Sequence, residues 1–236
     1  LRKGTLWGPE AQMRLAQTHV IVFGLGGVGS YAAECLARAG IGELTLVDSD
    51  TVALSNLNRQ LEALTSTVGL PKAEAVARRI ADINPNAVLH PLQELYNAEN
   101  RSRFFPEGCR YDYIVDAIDL VSCKLDLAET ARRLKIPLMM ALGTGNKLDP
   151  SQLRLADISE TYGCPLARVM RKELRNRGIC RQPVVFSPEQ PAPTTQRETP
   201  PPGRRSVPAS NPWVPAVAGL LIGSKVVRDL IANKGV

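Results

Sequence analysis

The sequence predicts an α/β protein built on a doubly wound, mostly parallel sheet with a C-terminal extension. A glycine loop, Gly24-Leu25-Gly26-Gly27-Val28-Gly29, stands between an apolar strand pattern and a helix pattern. Strand and helix patterns then alternate as far as Leu142, which implies a parallel sheet covered on both faces. Aromatics make up 5% of residues and hydrophobics 44%, so the core rests on Leu, Val, Ile and Ala, as helix-covered parallel sheets often do. The 236 residues suffice for one large domain of this Rossmann-like kind.

Residues 19–23 are a short apolar run ending at glycine, a buried strand. In 28–39, Val28, Ala32, Cys35, Leu36 and Ala39 share one helical face, and Gly40 ends the helix. "ELTLVD", 43–48, is a second strand. Pro71 opens a helix over 72–83, and Asn84-Pro85 stops it. Strands follow at 87–92 and 111–118, a helix at 124–134 and a strand at 136–142. Beyond Gly143 the alternation loosens. A strand is expected at 152–158, a basic helix at 165–177, a strand at 182–187 and a mostly apolar helix at 213–232, packed on the sheet or on a partner. The stretch 187–212 is proline-rich and has too few apolar residues to offset its ordering entropy, so a mobile loop is expected. The expected organisation is a core over 1–148 and a basic extension of the same domain over 149–236.

Charge divides the chain. Residues 1–120 carry net −3 and residues 121–236 net +9. The basic back half suggests an anionic partner, with a solvated basic surface as the alternative. The five cysteines are odd in number and contain no C-x-x-C pair. That fits free thiols in a reducing compartment and offers no cysteine zinc site. The first residue is Leu, so the natural start is expected to be missing, and no signal-peptide pattern is visible. The apolar run near "VAGLLIG" is interrupted by Pro215, Lys225 and Arg228 and is too short for a bilayer. A cytoplasmic protein with no membrane contact is expected.

The glycine loop lets the backbone turn tightly and approach a phosphate, which the N–H groups of the helix start then bind. Gly24, Gly26, Gly27 and Gly29 are its elements. Asp48 ends the second strand, placed to accept hydrogen bonds from ribose hydroxyls. These features name a nucleotide but not which one. The residues downstream separate the readings. "SNLNRQ", 55–60, and Lys72 bring two cations to the strand ends. A nucleoside triphosphate, with about four negative charges, needs such cations; a nicotinamide cofactor has two phosphate charges and usually does without them. Lys72 on a first helical turn is otherwise badly placed beside the positive end of the helix dipole. Asp116 and Asp119 end the strand "YIVDAID". Carboxylates there suit magnesium, and for Asp119 a helix cap is the alternative.

The ordered set "GLGGVG…DSD…NLNRQ…GLPKAE…DAID" resembles the adenylation domain shared by ubiquitin-activating-type enzymes and bacterial sulfur-carrier adenylyltransferases, over roughly residues 2–148. The resemblance implies ATP, Mg2+ and attack of a carboxylate on the α-phosphate. Carried onto matching positions, Asp48 binds ribose, Asn56, Arg59 and Lys72 meet the phosphates, and Asp119 holds magnesium. Asp50, Gln60 and Asp116 join the nucleotide-binding set. Arg2 is similar to an arginine that family members insert into the neighbouring subunit's site, which implies a homodimer. Within the family, "GGVGSYAAECLARAGIGELTLVD", "GNKLDP", "PLARVMRKELRNRGI" and "PAVAGLLIGSKVVRDLI" look like the tRNA threonylcarbamoyladenosine dehydratases, nearly end to end. That implies ATP-dependent cyclisation of N6-threonylcarbamoyladenosine in tRNA, with loss of water, and gives the basic half a partner. The runner-up is an adenylyltransferase for the C-terminus of a ubiquitin-like sulfur carrier. Those enzymes generally carry paired C-x-x-C zinc ligands, which are absent here.

His19 and His90, the only histidines, are read as strand-end structure rather than as acid or base. Cys123 and Cys164 lie nearest the site loops, and all five cysteines are read as structural. Lys147 stands either as a receiver of the substrate carboxylate or as a surface lysine. The arginines of 165–181 contact tRNA or form a solvated face.

Overall fold

The computed structural model describes residues 2–195 and 208–232, without the side chains of 2–4. The centre is one seven-stranded sheet, in the order β3-β2-β1-β4-β5-β7-β6. Its strands are β1 (His19–Phe23), β2 (Glu43–Val47), β3 (Val88–Leu92), β4 (Tyr113–Asp116), β5 (Leu138–Ala141), β6 (Arg154–Asp157) and β7 (Pro183–Phe186). All pairings are parallel except β6 with β7. Alternation of apolar runs carries no direction, so the antiparallel edge strand was not legible beforehand. Pro91 sits in β3, where an edge position tolerates a missing N–H.

The chain runs outward from β1 through β2 to β3, then returns to β1's other side as β4. The order therefore reverses between β1 and β4, and a crevice opens beyond their carboxyl ends. Helices α1 (Arg2–Trp7), α2 (Pro9–Ala16), α3 (Gly29–Ala39), α4 (Lys72–Ile83), α5 (Arg101–Phe104), α6 (Val121–Leu134), α7 (Pro165–Asn176) and α8 (Val214–Ile231) flank the sheet. The expected helix and strand positions hold to within a few residues. The two amino-terminal helices and α5 were not anticipated.

Two apolar layers sandwich the sheet. On one face Leu36, Val76 and Ile80 of α3 and α4 join Ala218, Ile222 and Val226 of α8. On the other, Leu127, Met170 and Leu174 of α6 and α7 pack with Phe23, Phe104 and Phe186. Helix α8 thus lies on α3 and the sheet, with Gly219 and Gly223 letting it close on Val28 and Cys35. Strands β6 and β7 extend the same sheet, with β7 beside β5 and β6 at the edge. No described helix is long and apolar enough to cross a membrane.

The expected mobile loop divides. Residues 196–207 lie outside the described residues, but its flanks are pinned. The Ala192 N–H donates to the Asn146 carbonyl at 2.7 Å, and the Asn146 N–H to the Ala209 carbonyl at 2.7 Å. The Glu189 carboxylate accepts from the N–H groups of Leu148 and Asp149 at 2.9 and 3.1 Å. Backbone bonding to the 143–149 loop replaces the apolar burial these flanks lack.

Candidate active site

The switch-point crevice is a cavity of about 460 Å³ lined mainly by the loops after β1, β2 and β4, with residues 94–96 after β3 and Thr144 after β5. Each loop delivers its residues for a local reason. After β1 the chain turns at Gly24, φ 82°, where a side chain would stand 2.7 Å from the Ala117 carbonyl oxygen. A Cβ on Gly29 would lie 1.7 Å from the Gly24 carbonyl, so α3 can start there only from glycine. Gly24, Gly26 and Gly27 line the cavity, whereas Gly29 packs behind the turn.

Asp48 fixes that loop to β2. Its Oδ2 accepts the Leu25 N–H at 2.6 Å, and its Oδ1 accepts the Asp50 N–H at 2.9 Å. Burial raises its pKa, against the pull of Lys72 and the two N–H bonds. The segment after β2 folds back on residues 69–72: the Lys72 N–H donates to the Asp50 carbonyl at 3.0 Å, and Thr51 pairs with Pro71. This seats Lys72 on the first turn of α4, buried, with Nζ 2.9 Å from the exposed Asp50 carboxylate. Between them the short helix Leu54–Asn56 turns on its own side chain, as Asn56 Oδ1 accepts the Ala53 N–H at 2.9 Å. The Asn56 carbonyl accepts from Arg59 and Gln60, so both lie at the cavity wall. Arg59 is steadied by the Ser55 carbonyl at 2.9 Å and the Asn58 side chain at 2.8 Å. The buried Gln60 amide oxygen has no hydrogen-bond partner among the described residues, which a polar ligand would supply.

Thus Gly24, Gly26, Gly27, Asp48, Asp50, Asn56, Arg59, Gln60, Lys72 and Asp119 converge on one cavity. Beside Gly29, two expectations need correcting. Asp116 does not line it. Its carboxylate is wholly buried beneath β4, where Lys124 Nζ lies 3.0 Å from Oδ2 and also donates to the Ile118 carbonyl at 3.0 Å. A charge removed from water needs such a counter-ion, and the internal pair leaves Asp116 no lone role toward a nucleotide. Lys147 is buried and donates to the Glu189 carbonyl rather than facing the cavity. Arg2 begins α1, and its side chain lies outside the described residues.

Other lining residues escaped sequence reasoning. Phe23, Val47, Leu95, Tyr96, Ile118 and Leu120 make an apolar wall suited to a flat base. The Tyr96 hydroxyl donates to Asp126 at 2.6 Å, and Arg101 pairs with the same carboxylate. Burial, then Asp126, raises the Tyr96 pKa, so the ring is a fixed neutral surface. The only available signal was the isolated "ELY" after β3. Glu62, buried behind the lining residues rather than among them, is a second omission. It is 2% exposed, and burial pushes its carboxyl up to about 7 against the attraction of Lys72.

Glu62 makes stability pH-dependent. The unfolded chain releases its proton near the ordinary glutamate value of about 4.3, the folded chain only at about 7. Between those values the folded state binds the extra proton, so stability falls as pH rises through that window and levels off above it. Glu62→Gln is expected to gain about 1–3 kcal/mol over the parent at about pH 8 and nothing at about pH 4, measured by urea unfolding. Equal gains at both pH values would contradict the assignment.

The basic residues of α7 and its cap Arg177 divide. Arg171 is bound to Thr161, and Arg177 to Glu173 at 2.9 Å. Arg168, Lys172 and Arg175 are exposed. Cys123 and Cys164 are buried, all five thiols are free, and Cys180 is exposed.

The model of the ThiF family matches residues 2–233. The chain is 42% identical over 235 residues to the tRNA threonylcarbamoyladenosine dehydratase of Bacillus subtilis (strain 168), covering 96% of this chain and 92% of that one. The Escherichia coli tRNA N6-threonylcarbamoyladenosine dehydratase crystallised with ATP is 35% identical, with a TM-score of 0.87 over 99% of this chain and 93% of that one. The same protein crystallised with AMP gives a TM-score of 0.88 at 35% identity, over 99% and 94%. Sequence and fold agree with these relatives along nearly the whole length, and the chain belongs to the ThiF family.

Proposed function

We propose that this chain is an ATP-dependent tRNA threonylcarbamoyladenosine dehydratase. The carrying observation is the convergence of Arg59 and Lys72 with the glycine turn and Asp48 in one cavity. In this reading the co-substrate ATP lies across the switch point. Its base rests on the wall of Phe23, Val47 and Tyr96, and its ribose meets Asp48. N–H groups of the glycine loop and the Arg59 and Lys72 cations take the phosphates, with Asp50, Asn56 and Gln60 beside them. The threonylcarbamoyl carboxylate attacks the α-phosphorus, one carboxylate oxygen bonds to phosphorus, and pyrophosphate leaves. An internal nucleophile of the same group then attacks the carbonyl carbon and expels AMP. The sum is ring closure with loss of water, and proximity accelerates the second step. Arg59 and Lys72 act by neutralising charge that grows on the leaving pyrophosphate.

The donor set at the cavity mouth fits Mg2+, which takes one or two carboxylates together with phosphate oxygens. Asp119 would hold it, with Asp50 near by; both are exposed at the cavity. Bound there, the ion would screen the triphosphate charge. A homodimer in which Arg2 reaches the neighbouring cavity belongs to the same proposal, supported by the exposed Leu6 and Met13 on α1 and α2. A tRNA substrate also accords with a cytoplasmic location. The carrier-protein alternative is disfavoured by the missing C-x-x-C pairs.

The test is nucleoside mass analysis of modified tRNA after incubation with ATP. The parent chain should yield the cyclised nucleoside, and Asp119→Ala should yield it at least about 100-fold more slowly. No conversion by the parent would refute the function; equal conversion by both would refute the role of Asp119. A second expectation concerns α7. Changing Arg168, Lys172 and Arg175 together to Ala should weaken tRNA binding and flatten its log–log salt dependence by about 2–3 units, with ATP binding intact. An unchanged salt slope, measured by filter binding, would remove α7 from the tRNA contact.

A further inference from the structure

At the opposite end of the sheet, both histidines of the chain meet one carboxylate. His19 opens β1, Glu43 opens β2 beside it, and His90 lies in β3. In parallel strands residues 19, 21 and 23 share a face with 43, 45 and 47 and with 88, 90 and 92, so the three side chains project together. Glu43 Oε1 is 3.4 Å from His19 Nδ1 and 2.8 Å from His90 Nε2. One ligand atom from each residue lies within 4.8 Å of the others. From these contacts we propose that His19, Glu43 and His90 form a binding site for a divalent transition ion of the zinc class, separate from the nucleotide cavity.

The geometry suits such an ion. With bonds of about 2.0–2.1 Å, tetrahedral ligand atoms stand about 3.4 Å apart, so small rotamer shifts suffice. His19 is already oriented: its Nε2 is 2.8 Å from Thr45 Oγ1, which leaves Nδ1 toward Glu43. A partner on the far ring nitrogen is the usual support of a metal-bound imidazole. The Tyr111 ring stands edge-on to His19, with centroids 4.6 Å apart, and holds it in place. His90 and Glu43 are partly open to solvent, which gives an entry path and room for a water ligand. Two imidazoles and one carboxylate suit zinc-class ions rather than Mg2+ or Ca2+, which prefer oxygen. The ion would tie the edge strand β3 to β1 and β2, roughly 16 Å along the strands from the glycine turn.

The experiment titrates the full chain, stripped with chelator, with Co2+ and then Zn2+. One equivalent of Co2+ should bind with a visible d–d spectrum lacking a thiolate charge-transfer band, and Zn2+ should displace it and raise Tm by several degrees. His90→Ala and Glu43→Gln should each weaken binding at least about tenfold, while circular dichroism and ATP binding stay those of the parent. No stoichiometric binding, a thiolate band, or affinity unchanged in both variants would overturn the site. If His90→Ala failed to fold, Glu43→Gln would decide on the same criteria.

Discussion

Lys72→Ala is expected to lower the rate of tRNA cyclisation by about 10³-fold, and Arg59→Ala by about 10²–10³-fold. Lys72 is buried at the start of α4, where the helix dipole opposes a cation. It is held there by Asp50 at 2.9 Å, a carboxylate that is itself mostly exposed. Removing Lys72 leaves Asp50 hydrated, and the buried Asp48 and Glu62 can take up protons once its charge is gone, so the loss should fall mainly on kcat rather than on folding. Arg59 stands across the glycine turn, its Cγ within 3.4 Å of where a Gly27 side chain would sit. Lys72→Arg should recover little, since a guanidinium fork does not replace a compact ammonium in a buried slot. Pyrophosphate release in single turnover, beside urea unfolding, separates the two effects. A Lys72→Ala rate within tenfold of the parent would remove the lysine from the chemistry.

Lys124→Met should cost about 3–5 kcal/mol of stability, because it strands the Asp116 carboxylate at 0% exposure. For a chain of this length that is a fall in Tm of roughly 6–20 °C. Asp116 also accepts the Ile118 N–H at 3.0 Å, so the strain would reach the loop that carries Asp119. Asp116→Asn combined with Lys124→Met keeps that acceptor, removes both charges and should regain most of the loss. Calorimetry on the single and double variants measures it. A single variant as stable as the parent would mean that the pair is not needed to neutralise Asp116.

What the sequence made legible was local. The glycine turn, Asp48, the 55–60 segment and Lys72 each follow directly from a strand end or a helix start, and short-range geometry suffices to aim them. Three features depended on contacts that no local pattern encodes. The Asp116–Lys124 pair needs the seating of α6 under β4, so Asp116 read as a ligand when its partner lay inside. The flanks of the proline-rich stretch looked unable to order because composition counts apolar burial, whereas backbone bonds to Asn146 and the Glu189 carboxylate's bonds to the Leu148 and Asp149 N–H groups hold them. His19 and His90 looked like unrelated strand ends. Only the register of three adjacent strands brings them to Glu43.

The most direct test of carboxyl activation follows an oxygen atom. Modified tRNA carrying oxygen-18 in the threonylcarbamoyl carboxylate is incubated with ATP and the protein, and AMP is recovered for mass analysis. Attack of the carboxylate on the α-phosphorus predicts one labelled oxygen in the AMP phosphate for each ring closed. Label appearing in water or in inorganic phosphate, with unlabelled AMP, would contradict an acyl-adenylate and with it the reading of the cavity.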